Sequence, residues 1–139
     1  MADYVIPPNN ITSGPNDAVD ATDVAGVDIA GGQAVYVDTN SKVQLALADT
    51  LPHAAVVGIA CAALTKAGQR CPIVKNGATI TVTGATFVVG APLLVSPTNP
   101  GGLCPEADVV AGKFVTQVGR FITATSFKLQ IYAWGIAHG

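Results

Sequence analysis

The chain has 139 residues, half of them hydrophobic and only 12% charged, with a formal net charge of −2 at pH 7. The length fits one domain with its own core, and the small negative charge offers no basic footprint for nucleic acid or an anionic membrane. A soluble domain usually carries about 25% charged residues, so uncharged polar and apolar atoms must cover much of this surface. Since large apolar patches usually mark contact surfaces, the composition favours a chain built for an assembly over a β domain with a plain surface.

Three further features of the sequence limit the class of protein. The start, MADYVIPPNN, lacks the basic and apolar regions of a signal peptide, so we expect synthesis in the cytoplasm. The longest apolar run, residues 54–64, has about half the length of a spanning helix, so we expect no membrane partner. Cys61, Cys71 and Cys104 are odd in number and widely spaced, which predicts free structural thiols rather than a disulfide framework or a metal site.

Residues 1–22 are predicted to form an extended N-terminal arm that precedes a single β domain over residues 23–139. Pro-Pro and Gly-Pro pairs in this segment interrupt helices and central strands. Its first residues include the apolar Tyr4, Val5 and Ile6, which are candidate contacts with a neighbouring chain. A disordered tail is the alternative interpretation, because termini are often disordered.

The first strand signals after the arm predict a hairpin and a buried strand. Residues 33–38 (QAVYVD) and 42–47 (KVQLAL) are rich in β-formers and flank the turn-forming DTNS, which predicts a hairpin. Residues 55–64 form a continuous run of mostly small apolar side chains. Such a run is typical of a strand that is buried on both faces.

A second hairpin is predicted around the Asn-Gly pair at 76–77, because this pair favours a two-residue turn. The strands would be residues 69–75 and 78–83. Within the second of them, ATITVT alternates, so Ile80 and Val82 should face inward and the threonines outward.

Three more strands are predicted at residues 92–96, 113–121 and 126–134. In the last, alternation places one apolar set on the inner face and a mixed set, including Tyr132 and Trp134, on the other. A face with aromatic rings and few charges is a candidate partner contact. The alternative is that these rings cap one end of a barrel.

Helix signals are scarce, with room for single turns at residues 46–53 and 106–111. About eight short strands separated by turn signals predict an all-β fold, a small β-barrel or β-sandwich with an extended N-terminal arm.

An internal repeat supports this fold class. GQAVYVD, which begins at Gly32, resembles GAPLLVS, which begins 58 residues later at Gly90. The pair Val57-Gly58 recurs as Val118-Gly119, 61 residues later. Two copies are too few for a solenoid and instead fit two halves of one barrel, unless the similarity of Gly- and Val-rich β sequence arises by chance.

The sequence carries no catalytic motif. Neither His53 nor His138 lies in a zinc-binding pattern, and no GxSxG occurs. Glu106 and Asp108 follow Pro105, where acids favour the start of a helical turn. The glycine pairs precede strands rather than helices, unlike phosphate-binding loops. We therefore expect no catalytic, cofactor-binding or metal-binding residues, and no enzyme.

Several runs resemble the small capsid decoration (cement) proteins of tailed bacteriophages. The resemblance covers about residues 24–136 and rests on GQAVYVD, VVGIA, AGQRCPIVKNG, GAPLLVS and VGRFITATSFKLQI. It implies a β-rich, homo-oligomeric and often trimeric protein on the outer capsid surface of the virion, where major capsid proteins meet. It also implies stabilisation of the shell, with synthesis in the host cytoplasm.

Two other functions remain open from the residues alone. The β domain would serve as a virion-surface adhesin or carbohydrate-binding module if Tyr36, Tyr132 or Trp134 offered a ring to a sugar. It would serve as a small hydrolase if His53 lay beside a serine and a carboxylate.

Overall fold

The computed structural model describes Tyr4, Ile6 and residues 11–13, 19–49, 53–75, 77–84, 86–105 and 114–137, with side chains for all except 13, 114–115 and 132–137. Over these residues the chain forms fourteen short strands and no helix. The strands are β1 (Ile11–Ser13), β2 (Val19–Asp20), β3 (Val24–Ala25), β4 (Ile29–Ala30), β5 (Ala34–Val37), β6 (Lys42–Leu45), β7 (Gly58–Ala60), β8 (Leu64–Thr65), β9 (Ile73–Val74), β10 (Thr79–Val82), β11 (Pro92–Val95), β12 (Leu103–Cys104), β13 (Phe114–Phe121) and β14 (Ser126–Ala137).

The predicted all-β class is therefore confirmed, and the arrangement is consistent with a small β-barrel or β-sandwich. There are more strands than the eight predicted, because a bend divides the predicted strand at 55–64 into β7 and β8 and because five strands of two or three residues, β1 to β4 and β12, lie outside the predicted ones. The helical turn predicted at residues 46–53 is not helical where the chain is described, and the one at 106–111 lies outside the described residues.

Two six-stranded sheets make up most of the described chain. The first has the order β2-β9-β7-β5-β6-β3, and the second has the order β1-β10-β14-β13-β11-β12. A small two-stranded sheet joins β4 to β8. Every pairing is antiparallel except that of β3 with β6.

The internal repeat corresponds to these two sheets. In the first copy, β5 pairs with β6 on one side and β7 on the other, and β9 follows β7. In the second copy, β11, β12, β13 and β14 stand in the same order with the same antiparallel pairings. An added strand then extends each sheet, β2 beside β9 and β10 beside β14. Each copy of the repeat therefore builds one sheet.

Matched glycines strengthen this correspondence. Gly32 and Gly90, which precede β5 and β11, have φ angles of +86° and +88°, a region that side chains with a Cβ rarely adopt. A Cβ on Gly58 would overlap the carbonyl oxygen of Val74, and one on Gly119 would overlap that of Lys128. Equivalent positions of the two copies therefore favour glycine for the same reason, a positive φ at the first pair and a lack of space for a Cβ at the second.

One core joins the two sheets. Its fully buried side chains include Ile59 and Val74 of the first sheet and Phe121, Phe127 and Leu129 of the second. Backbone hydrogen bonds also cross between the copies, from the Ala34 amide to the Gly101 carbonyl at 2.9 Å and from the Ala48 amide to the Ser96 carbonyl at 3.1 Å. The two halves are therefore parts of one cooperative unit.

The first predicted hairpin is confirmed and the second is wrong. β5 and β6 pair with Tyr36 opposite Gln44. By contrast, β9 belongs to the first sheet and β10 to the second, so the chain passes from one sheet to the other between Val74 and Thr79. Gly77 has the positive φ that favours glycine there, while Asn76 lies outside the described residues.

Burial within the strands follows the predicted alternation. Ile80 and Val82 are fully buried, while Thr79 and Thr81 are only partly covered. The predicted buried strand over residues 55–64 survives as β7, where all three residues are buried. The chain bends after it and begins β8.

Candidate functional site

A concave site lies where the first copy of the repeat turns from β5 towards β6. It has a volume of about 400 Å³, within the size range of small-ligand sites. Its described lining residues are Tyr36, Val37, Asp38, Thr39, His53 and Ala55. Aromatic, apolar and charged groups therefore face one cavity, which we call the Tyr36 site.

His53 is held at this site by contacts on several sides. Its Nδ1 lies 2.8 Å from Asp49 Oδ1, and its ring centroid lies 5.3 Å from that of Tyr36. The His53 carbonyl accepts a hydrogen bond from the Leu47 amide at 3.1 Å. The next carbonyl, that of Ala54, accepts one from Thr116 Oγ1 at 2.6 Å. Contacts from both copies of the repeat thus position the imidazole.

Two carboxylates act electrostatically on Tyr36 at this site. Desolvation, followed by the charges of Asp38 and Asp49, raises the pKa of the Tyr36 phenol above its ordinary value. The amide of Lys42 and the side chain of Gln44 donate to Asp38 and lower the pKa of its carboxyl group. Asp38 is therefore ionised at neutral pH, where its charge acts on the phenol.

The site lacks the groups of a hydrolytic triad. His53 and Asp49 form the required pair, but neither a serine nor a cysteine is among the described lining residues. The serines at 96 and 126 instead serve turns: Ser96 Oγ accepts from the amides of Thr98 and Asn99, and Ser126 Oγ lies 2.7 Å from Thr123 Oγ1. The arrangement supports ligand binding better than acyl transfer.

The apolar residues predicted near the N-terminus pack on their own chain. The Tyr4 ring makes edge contacts with Phe87 and Phe121, at centroid distances of 6.0 and 5.1 Å. Its amide donates to the Leu103 carbonyl at 2.8 Å and its hydroxyl to the Pro92 carbonyl at 3.3 Å. Ile6 packs against the shared core, and Val5 lies outside the described residues. Their predicted contact with a neighbouring chain stays a prediction.

The other candidate contacts, Tyr132 and Trp134, are on β14. This strand runs to Ala137, but its ladder with β10 covers only Ser126–Lys128. Its far half pairs with β13 up to the partners Phe114 and Ala137. The side chains of Tyr132 and Trp134 lie outside the described residues, so their shared face stays a prediction.

The strongest exposed apolar feature within the described residues is a turn before β11. Val88 and Val89 are 76% and 62% exposed, and Ile122, after β13, is 45% exposed. The Gly90 amide donates to the Phe121 carbonyl at 2.7 Å, which ties this turn to the end of β13. Sequence reasoning did not single out these three residues, although a Val-Val pair directly before a turn glycine is an available signal.

The remaining predicted residues do not gather into a site. Cys71 and Cys104 are buried and Cys61 is partly buried, all as free thiols, and desolvation raises the pKa of Cys61 and Cys71. Glu106, Asp108 and His138 lie outside the described residues. Within the described part of the chain, no group of three His, Cys, Asp or Glu side chains is placed to hold a metal ion.

Sequence reasoning also missed the pairing at the Tyr36 site. Asp49 and His53 are four residues apart, a spacing that signals contact in a helix, yet the two residues are in contact here without lying in a helix.

No helix in the described residues is long and apolar enough to cross a membrane. No protein-family model and no curated protein matches the chain.

Proposed function

We propose that the chain is a capsid decoration protein of a tailed bacteriophage. In this proposal it binds as a homo-oligomer, most simply a trimer, at junctions of the major capsid protein on the outer surface of the virion. Its role is to stabilise the shell, with no catalysis and no cofactor. The observation that carries the proposal is a charge-poor β domain in which one long strand, β14, continues beyond the end of its ladder with β10.

The surface supports a role in assembly. Only 12% of the residues are charged, and valines at a turn are left exposed. Exposed apolar groups favour contact with another protein because burying them releases about 25 cal/mol per Å². The resemblance of the sequence runs to decoration proteins supplies the identity of that partner.

The far half of β14 supplies a means of contact. Beyond Ile131, β13 is its only backbone neighbour among the described residues. A strand that continues past the end of its ladder can add to the sheet of another chain through main-chain hydrogen bonds. Aromatic side chains on such a strand suit the core of an interface, which keeps Tyr132 and Trp134 as the candidate contacts.

Co-sedimentation with expanded, undecorated heads of the encoding phage tests this function. We expect the chain to sediment as an oligomer when free and to pellet with the heads at a fixed number of copies per junction. Heads that are already decorated are the control and should take up little. A chain that stays monomeric and leaves undecorated heads unbound would overturn the proposal.

A pair of variants tests the contact surface within that experiment. Trp134→Ala should weaken head binding or oligomerisation, because it removes a large ring from β14. Leu64→Ala, which alters an exposed apolar side chain of the first half, is the matched control and should bind as the wild type does. An equal loss of head binding in both variants would indicate that any exposed apolar side chain contributes, and not β14 in particular.

A further inference from the structure

The Tyr36 site has features that the decoration role does not require. A surface that only packs against other proteins needs no cavity of about 400 Å³ lined by a phenol ring, an imidazole and the carboxylate of Asp38, with a second carboxylate, that of Asp49, against the imidazole. We propose that the Tyr36 site binds an organic cation, an alkylammonium or guanidinium group such as that of a lysine or arginine side chain.

The charges around the cavity favour a positive ligand. The carboxylates of Asp38 and Asp49 both act on the Tyr36 phenol, and no lysine or arginine is among its described lining residues. Lys42, the nearest basic residue along the chain, donates its backbone amide to Asp38, and its charge also acts on that carboxylate from outside the described lining. The charged group in the described lining is therefore the Asp38 carboxylate, and Asp49 adds a second carboxylate behind His53.

The walls favour an organic cation over a bare metal ion. Tyr36, Val37 and Ala55 supply apolar surface, which suits the methylene groups of a long basic side chain. The Asp38 oxygens already accept hydrogen bonds from two backbone amides and from Gln44. Asp38 thus contributes charge without offering the open coordination that a divalent metal needs.

The aromatic ring supplies the remaining attraction. A cation near the face of a Tyr ring gains about 0.5–1 kcal/mol at an exposed site, which corresponds to about two- to fivefold in affinity. His53 packs beside the ring at 5.3 Å and is tied to Asp49. These contacts hold the ring and one carboxylate in place before a ligand arrives, which lowers the cost of binding.

Chemical-shift titration of the intact protein tests the site directly. The probe is Nα-acetyl-lysine methylamide, and its neutral analogue Nα-acetyl-norleucine methylamide is the control. We expect saturable shifts of the backbone amides of residues 36–39 and 53 with the lysine compound. No saturable shift, or the same shift with the norleucine compound, would overturn the proposal.

Further probes separate the possible ligand classes. Spermidine and the lysine compound share a cationic head, so tighter binding of spermidine would identify a free polyamine as the source and tighter binding of the lysine compound a protein side chain. Saturation by methyl glucoside but not by either amine would overturn the cation proposal in favour of a sugar site. Saturation by Ca²⁺ alone would also overturn it.

Variants locate the binding groups. Asp49→Asn removes one charge and Tyr36→Leu removes the ring, and each should weaken the lysine compound about two- to fivefold or more. Asp28→Asn removes an exposed carboxylate that lies 3.5 Å from Lys66 outside the site, and it should leave affinity unchanged. If Tyr36→Leu fails to fold, Asp49→Asn still decides, because unchanged affinity in that variant contradicts the proposal. None of these measurements involves capsids, so their failure leaves the decoration role standing.

Discussion

The two sheets share a strand order but differ in how they are covered. The first sheet is buried on both faces: Ile59 and Val74 face the shared core, while Val35, Ala60 and Ile73 pack in a second apolar cluster. The second sheet has Phe127 and Leu129 on its inner face, whereas Lys128 and Gln130, which alternate with them along β14, are exposed. Among the described residues, the first sheet is thus covered on both faces, whereas part of the outer face of the second is exposed.

The difference indicates how the copies of the repeat are specialised. For the first sheet, Ala25 of its edge strand β3 and Ile29 of β4 contribute additional cover, because both are buried in that second cluster. On the outer side of the second sheet, the described cluster is only Leu94 with Cys104. In the proposed decoration role, the first sheet would serve as the scaffold and the second would carry the partner contact.

The shared core should be the most sensitive place in this comparison. Phe121→Ala should lower the free energy of unfolding by about 3–5 kcal/mol, because Phe121 is 1% exposed and contacts Tyr4, Phe87 and Phe127. Chemical denaturation measures the loss. Ile122→Ala, at an exposed position beside it, should stay within about 0.5 kcal/mol. A small loss from Phe121→Ala would mean that the sheets do not share one core.

The paired glycines test whether the two copies are equivalent. Gly58→Ala and Gly119→Ala should each cost about 2–3 kcal/mol by thermal or chemical unfolding, because the added Cβ meets backbone that cannot turn aside. Gly26→Ala is the control, since its Cβ first meets the flexible end of Gln44, and it should cost about 1 kcal/mol or less. A large loss of stability in only one of these two variants would show that the two copies are not equivalent at this position.

The Tyr4 contacts test whether the N-terminal segment stabilises the second sheet in its own chain. Tyr4→Ala should lower stability by about 2 kcal/mol, because it removes two aromatic edge contacts. Tyr4→Phe keeps the ring and should lose about 1 kcal/mol or less with the hydrogen bond to Pro92. If the stability of Tyr4→Ala equals that of the wild type, the segment does not pack on its own domain in solution.

The smallest expected changes in stability concern the equivalent loops that follow β5 and β11. Ser96 Oγ and Asp38 Oδ1 both accept hydrogen bonds from loop amides, and Ser96→Ala should cost about 1 kcal/mol. The pKa of Asp38 is lowered, chiefly by the Lys42 amide, so its contribution is present above its ordinary pKa of 3.8 and is lost as pH falls through the lowered value. Hydrogen exchange of the loop amides against pH should show acid sensitivity after β5 but not after β11. Equal sensitivity would contradict this difference.

The sequence predicted those features of the fold that depend on local patterns. Alternation placed Ile80 and Val82 inside, the DTNS turn predicted the β5–β6 hairpin, and the repeat anticipated two similar halves. The turn at 76–77 misled because an Asn-Gly pair specifies a local change of direction but not which sheet receives the next strand. That choice depends on β7 and β14, which are distant in sequence and offer their own edges.

The candidate site was less accessible to such reasoning. Tyr36 and Asp38 belong to the β5–β6 hairpin, whereas the contact between Asp49 and His53 is made outside any helix, so no local periodicity predicted it. Alternation along β14 suggested a face with Tyr132 and Trp134 but contained no information on how far β10 would follow that strand. Long-range pairing of this kind is set by the whole fold rather than by local residues.

The central claim is that the second sheet makes the partner contact, and hydrogen–deuterium exchange on the free and the head-bound chain tests it most directly. The account predicts slower exchange at residues 131–137 on the heads and unchanged exchange at Gly58–Ala60 of the first sheet. Unchanged exchange at 131–137, with new protection confined to the first sheet, would contradict it.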